Sequence, residues 1–433
     1  MIYKASLFLF FVLVTTTLSS HAHSGAVSRV SADREGYRFL SCSFDNRMRL
    51  WDVGSCSLVQ TFSLPRAGIG QLFSCALSPD GRLAAVGGWY GTPSGIQHRI
   101  HLYRVRNNSF LYTINVESAV LDLQFSGDGL KIAAGLKRGG ARVYDVSSGK
   151  RLAALQAAGS VYGCSFDGRG NLIVADGEGV VRVYENGNRL LSSRLLEDDA
   201  APVSVAPSAD GTLLAVGVEN PASVKVLSLP SLAVVGEFRV PDWSRSGMVQ
   251  VGWFGNNTVM GSYFRSGRGM NSFFFRWERQ TGHLEKSALG TSGILDLGVL
   301  PDGTVLFGGQ EGDLGRIDSG GAPVWHHRAV SGKKGGKFAL EVGSVPDPAV
   351  VTDSVISLMV ELTNEEPLVD IEVFVNGERK TSLFTQVLFE LHSRRRRVLV
   401  PLQKGKNRIE LWARGVSGRK ASVEIVITRR DSS

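Results

Sequence analysis

Long apolar runs are almost missing from this sequence of 433 residues, which argues against a bundle of membrane-spanning helices. The single run, Ala5 to Val14 (ASLFLFFVLV), is about half the length a helix needs to cross a bilayer. Lys4 precedes it, and Ser20 and Ala22 occupy the small-residue positions of a cleavage site, so residues 1–22 read as a secretory signal that leaves His23 first. The expected location is outside the cytoplasm, periplasmic or secreted, with no membrane span after cleavage. No Cys follows the signal core at the cleavage site, so no lipid anchor is expected there. Cysteine is scarce as well: Cys42, Cys56, Cys75 and Cys164 are the full set, too few for a disulfide-stapled scaffold. An excess of one charge is also lacking. The 48 Lys and Arg are interleaved with 40 Asp and Glu for a net +8, with no basic stripe, so nucleic acid is not an expected partner.

Catalytic signatures are missing too. No Walker loop, G-x-S-x-G or H-E-x-x-H occurs, so no catalytic residue, cofactor or metal site is expected, and the chain reads as a non-enzyme. The His326-His327 pair does not alter this, because adjacent residues of a strand point to opposite faces and serve one ion poorly. His98 and His101 flank a loop and are expected at the surface.

What is abundant is glycine, 51 residues, in a chain that is 43% hydrophobic and therefore not disordered. The glycines fall in a rhythm. Turns ending at Gly36, Gly81, Gly129, Gly170, Gly211, near Asn256 and at Gly303 return every 41 to 48 residues. Each follows a short strand such as LFSCALS or VLDLQFS and precedes a strand rich in small residues, RLAAVGG, KIAAG or LLAVG. A third, aromatic strand comes next: RLWD at 49–52, RVYD ending at Asp145, RVYE ending at Glu185, RWE at Trp277 and Glu278, and RID ending at Asp318.

That third-strand pattern resembles the WD-repeat propellers, which implies a seven-bladed WD-repeat-like β-propeller over residues 23–330. In that family a His at the start of a blade joins an Asp and the Trp of the third strand in a hydrogen-bond network. His23, Asp45 and Trp51 match all three in the first blade. With the signal ending at Ala22, no upstream strand is left to complete the last blade, so PVWHHR at 323–328 is expected to do so. Cys75 and Cys164 should point into interfaces between blades, Cys56 should be exposed, and all four should be thiols.

Residues 331–342 begin with SGKKGGK and read as a Gly/Lys linker. Beyond it the period is two: Ile356, Leu358, Val360 and Leu362 alternate with Ser357, Met359 and Glu361, and Val369 to Val375 lead to an Asn376-Gly377 turn. Residues 343–430 therefore read as a small immunoglobulin-like β-sandwich, making the whole chain all-β. The combination of exported propeller, VFVNGER and KGKNRIELWARGVSG resembles a group of bacterial proteins in which such a sandwich precedes a caspase-like peptidase domain. No Cys lies beyond residue 164, so no peptidase nucleophile is expected here.

The expected function is an exported, non-catalytic scaffold that binds a protein partner through propeller loops. Two insertions mark the expected surface, WYGTPSGIQH at 89–98 and RSGRGM at 265–270, both in hairpins between second and third strands. Trp89, Tyr90, Tyr263, Phe264, Arg265 and Arg268 would supply aromatic and basic anchors. Two alternatives remain open. One is a propeller enzyme of lactonase or quinoprotein type, with acidic or cofactor-binding groups in the central channel. The other is an anionic surface polymer held by Arg394, Arg395, Arg396 and Arg397, against which stands the simpler reading that basic residues there protect a sheet edge.

Overall fold

The computed structural model describes residues 23, 25–64, 69–92, 95–196, 200–219, 222–239, 247–265, 271–289, 293–327, 338–343, 350–351, 355–364, 368–382, 395–415 and 420–430. The expected signal and the SGKKGGK stretch lie outside them.

Among the described residues, seven antiparallel sheets of four strands follow one another in the chain, spanning 27–61, 69–116, 120–155, 161–195, 202–238, 248–288 and 294–327. The repeat period sets this pattern. In each sheet the turn between the first two strands holds a left-handed glycine, at Gly36, Gly81, Gly129, Gly170, Gly211, Gly255 and Gly303, a conformation that a Cβ penalises. The polar residues of the turn lock it. In the second sheet Ser78 Oγ donates to Asp80 Oδ1 at 2.6 Å and accepts from the Leu83 N–H at 2.8 Å, and Ser126 with Asp128 and Ser208 with Asp210 repeat the arrangement. The acid ending the aromatic strand serves the next turn: Asp52 Oδ1 accepts from Ser55 N at 2.7 Å and Asp145 Oδ1 from Ser148 N at 2.8 Å.

The first strands of the sheets touch in sequence, and that of the seventh returns to that of the first. Cores form between neighbours. Leu40, Cys42 and Leu50 of the first sheet meet Leu72, Cys75 and Tyr103 of the second, and Val27, Phe39 and Trp51 meet Leu300, Leu306 and Leu314 of the seventh at the closing seam. Each fully buried aliphatic side chain contributes about 1.5–3 kcal/mol relative to exposure. Strand Pro323–His327 supplies the fourth strand of the seventh sheet, as expected from PVWHHR. Cys42, Cys75 and Cys164 are buried free thiols; Cys56 is also free but half-buried rather than exposed, in a turn whose Cys56 carbonyl meets His327 Nε2 of the seventh sheet at 3.2 Å.

The C-terminal segment forms a three-stranded sheet (Phe338–Gly343, Val355–Asn364, Arg395–Pro401) and a five-stranded sheet built on Leu368–Val375, Gly405–Gly415 and Lys420–Arg429. Burial alternates at Ile409 and Leu411, whereas Val373, Phe374 and Val375 are all buried, and Asn376 and Gly377 make the left-handed turn. One boundary needs correction. Phe338–Gly343 pairs with Val355–Asn364 and lies almost wholly inside the stretch expected to be linker, because the alternation of FALEVG begins directly after the lysines. A fragment starting at Ser331 is therefore expected to give dispersed amide signals, whereas one starting at Val350, lacking that strand, collapses to a molten or insoluble product.

Candidate functional site

The first strands line the centre of the ring, and six of them carry one extra residue at the same place: Ser28, Phe73, Leu121, Tyr162, Val203 and Leu295. A bulge adds twist and re-aims the residues beside it. The residue after the bulge then reaches the next sheet. Ser74 Oγ accepts from Leu123 N at 2.9 Å, Asp122 Oδ2 from Cys164 N at 2.8 Å, Ser204 Oγ from Val251 N at 3.2 Å, and Asp296 Oδ2 from Val30 N at 2.8 Å across the closing seam.

Arg29 holds the equivalent position in the first sheet and acts differently. Its Nη2 lies 2.6 Å from Asp122 Oδ1, two sheets along, and its Nη1 lies 3.4 Å from Asp296 Oδ1, one sheet back. Burial pushes both carboxyls above their ordinary values, and Arg29 offsets this only in part, so Asp296 rises to about 6 and Asp122 is also raised. Burial alone would lower Arg29, but the two carboxylates more than compensate and its net shift is upward. The guanidinium thus sits between the acids as their internal counter-cation.

Two layers flank this cluster. On one side Ala26, Phe44, Phe73, Ala119 and Leu295, with Leu121 and Met248, form an apolar plug contributed by five sheets, in which Phe44 and Phe73 meet edge to face at 5.9 Å. On the other side the first strands carry small residues, Ser31, Ala76, Ser165, Ala206, Gly252 and Gly298, with Gln124 the one longer side chain. Ser31, Gln124 and Gly298 of this layer line a cavity of about 660 Å³, together with Arg29, Phe254, Asp296 and residues of the glycine turns.

The pH behaviour of Asp296 follows. Between the ordinary value of 3.8 and about 6 the folded protein keeps a proton that the unfolded chain has released. This group therefore costs stability above pH about 6, and the cost fades as pH falls through that window. The Asp296 carboxyl carbon should show an NMR titration midpoint near 6; a midpoint at 4 would mean that it is not desolvated.

The second constellation is the one expected in the first sheet, with one addition. His23 Nδ1 meets Asp45 Oδ2 at 3.0 Å, His23 Nε2 meets Ser41 Oγ at 2.7 Å, and Trp51 Nε1 donates to Ser41 Oγ at 2.8 Å. An indole can only donate and a carboxylate only accept, so with His23 neutral the order is Trp51 to Ser41, Ser41 to His23 Nε2, and His23 Nδ1–H to Asp45. Burial holds His23 below its ordinary value although Asp45 pulls the other way, so it is a neutral relay in this chain. Ser41 escapes sequence reading because a serine in a strand looks like any small residue.

The expected surface residues fare differently. Both insertions continue the strands: Leu83–Thr92 pairs with Gly95–Arg104 out to Thr92↔Gly95, and Thr258–Arg265 with Asn271–Glu278 out to Arg265↔Asn271. Trp89, Tyr90 and Arg265 fall on these hairpins, with side chains outside the described part, and Arg268 lies outside the described residues altogether. Tyr263 and Phe264 are corrected from exposed to buried, each 3% accessible. Their rings occupy space left by glycines: a Cβ on Gly247 would sit 2.4 Å from Tyr263, and one on Gly293 would sit 2.3 Å from Phe264. His101 is likewise buried, bonded to Thr113 Oγ1 at 2.8 Å, because the lengthened strand places it mid-strand rather than beside a loop. His326 and His327 do part, the first 3.9 Å from Asp313 Oδ1 and the second beside Trp51 and Trp325. Arg394 is outside the described residues. Arg395, Arg396 and Arg397 open a strand at the edge of the three-stranded sheet, paired through backbone with Glu361, Val360 and Met359.

Comparison with known families finds a match to the WD domain, G-beta repeat, over residues 13–52. It covers the first three strands of the first sheet and His23, Ser41, Asp45 and Trp51, and begins within the apolar segment. No curated protein matches the chain. The matched repeat and the succession of four-stranded antiparallel sheets fit a WD-repeat β-propeller.

Proposed function

We propose that this chain is an exported, non-catalytic scaffold, a seven-bladed WD-repeat propeller followed by an immunoglobulin-like sandwich, and that it binds a protein partner. The observation that carries the reading is the ring of first strands, one repeat of which matches a family whose members generally mediate protein–protein interaction. The lactonase or quinoprotein alternative is weakened by Arg29, which occupies the place between the two axial carboxylates where a cation would act. The partner surface is assigned to the two long hairpins, whose strands run ten and eight residues.

Cross-linking mass spectrometry on the native exported fraction tests this. The proposal expects one protein partner linked near these hairpins, and its capture should fall at least tenfold in the Trp89→Ala/Arg265→Ala double variant, with a thermal midpoint within a few degrees of the parent. Undiminished capture by a stable double variant would place the surface elsewhere. N-terminal sequencing of the exported protein should begin at His23; a start upstream of residue 13 would sink the export-signal assignment.

A further inference from the structure

We propose that the axial cavity binds the end of a neutral oligosaccharide, a role independent of the partner-binding hairpins. Its size, about 660 Å³, is that of small-ligand sites, which run from about 300 to 1,000 Å³. Arg29 and Asp296 line its inner end, and Asp33, Arg34, Gly255 and Pro301 of the glycine turns border it.

The floor selects the ligand's charge. Arg29 is the most accessible of the three ionised groups, its side chain 19% exposed against 1% for Asp122 and 6% for Asp296. A cation entering the pocket meets that guanidinium first. An anion meets it too, but with two carboxylates directly behind, which cancel its attraction. What remains is hydrogen-bonding capacity. A guanidinium has five N–H donors, and the carboxylates engage it at Nη1 and Nη2. Gln124 adds an amide that both donates and accepts. Hydroxyl groups, which also do both, match this floor better than any charged group.

The wall selects shape. Phe254 lines the pocket and is 38% exposed, whereas Trp253, its neighbour in the strand, points to the opposite face and reaches the fifth sheet, its indole N–H bonded to Ala206 O at 2.9 Å. One exposed aromatic ring next to planar polar side chains suits a pyranose ring, whose C–H face stacks on carbon while its hydroxyl edge takes the hydrogen bonds.

Gly298 supplies the test. It lines the cavity, and a Cβ built on it meets nothing within 4 Å, so a larger side chain grows into the pocket without a clash. The full chain is probed by saturation-transfer NMR with maltotriose, cellotriose and chitotriose at about 10 mM, enough to fill most of a site of millimolar Kd. At least one should show transfer, with affinity falling tenfold or more in Gly298→Leu and several-fold in Phe254→Ala at unchanged thermal midpoint. Absence of transfer from all three overturns the proposal. So does unchanged binding by Gly298→Leu or, should that variant fail to fold, by Phe254→Ala. Equal displacement by trialanine or by acetate would assign the pocket to a peptide or an anion instead.

Discussion

Arg29→Met should lower stability at pH 7.5 by about 3–5 kcal/mol, the usual cost of removing one partner from a buried ion cluster, and the thermal midpoint by on the order of 10 °C. Methionine keeps most of the stem volume, so the loss is electrostatic. It leaves Asp122 and Asp296 buried, still accepting from Cys164 N and Val30 N, but with no cation between them. Their protonation is the escape. Both carboxyls are already raised by burial with Arg29 present, and without it they rise further. Part of the lost stability should therefore return as pH falls from 7.5 to 5, where the folded variant takes up protons that the unfolded chain does not hold. Denaturant melts of parent and variant at both pH values check this. A deficit that does not shrink with acidification would mean that Arg29 contributes by packing alone.

Trp51→Ala should cost a similar amount, about 3–5 kcal/mol, for a different reason. The indole is 2% exposed, stacks on Phe39 at 6.1 Å, packs at the closing seam and supplies the first proton of the relay through Ser41 to His23. Trp51→Phe separates these contributions: it keeps ring surface and loses the donor, and should cost only about 1–2 kcal/mol. If the two variants lose equal stability, the hydrogen bond rather than the packing dominates.

Much of this architecture was legible because it is periodic. The glycine turns could be counted, the third-strand aromatics gave the register, and His23, Asp45 and Trp51 were recognisable by their spacing. The first strands were located but their contents were opaque. Arg29 reads in VSRVSA as an ordinary strand cation, and its partners lie 93 and 267 residues away, at Asp122 and Asp296. Only ring closure brings them together, and no local pattern encodes it. Tyr263 and Phe264 misled for a related reason: the glycines that make room for them, Gly247 and Gly293, belong to other segments. Phe338–Gly343 was hidden by its neighbour, since SGKKGGK drew the boundary too late.

The stitching between first strands is uneven, and a ring is only as tight as its loosest joint. An open solenoid frays from its ends, but a closed circle has none, so its slow breathing must start where two sheets are least fastened. Gly163 takes the place that Ser74, Asp122, Ser204 and Asp296 hold in their sheets and has no side chain with which to grip its neighbour. The joint between the fourth and fifth sheets therefore lacks the side-chain-to-backbone bond made at these four positions. Amides of the strand Pro202–Pro207 should exchange with solvent through openings that leave the Val27–Ala32 strand, clasped on both sides, still shut.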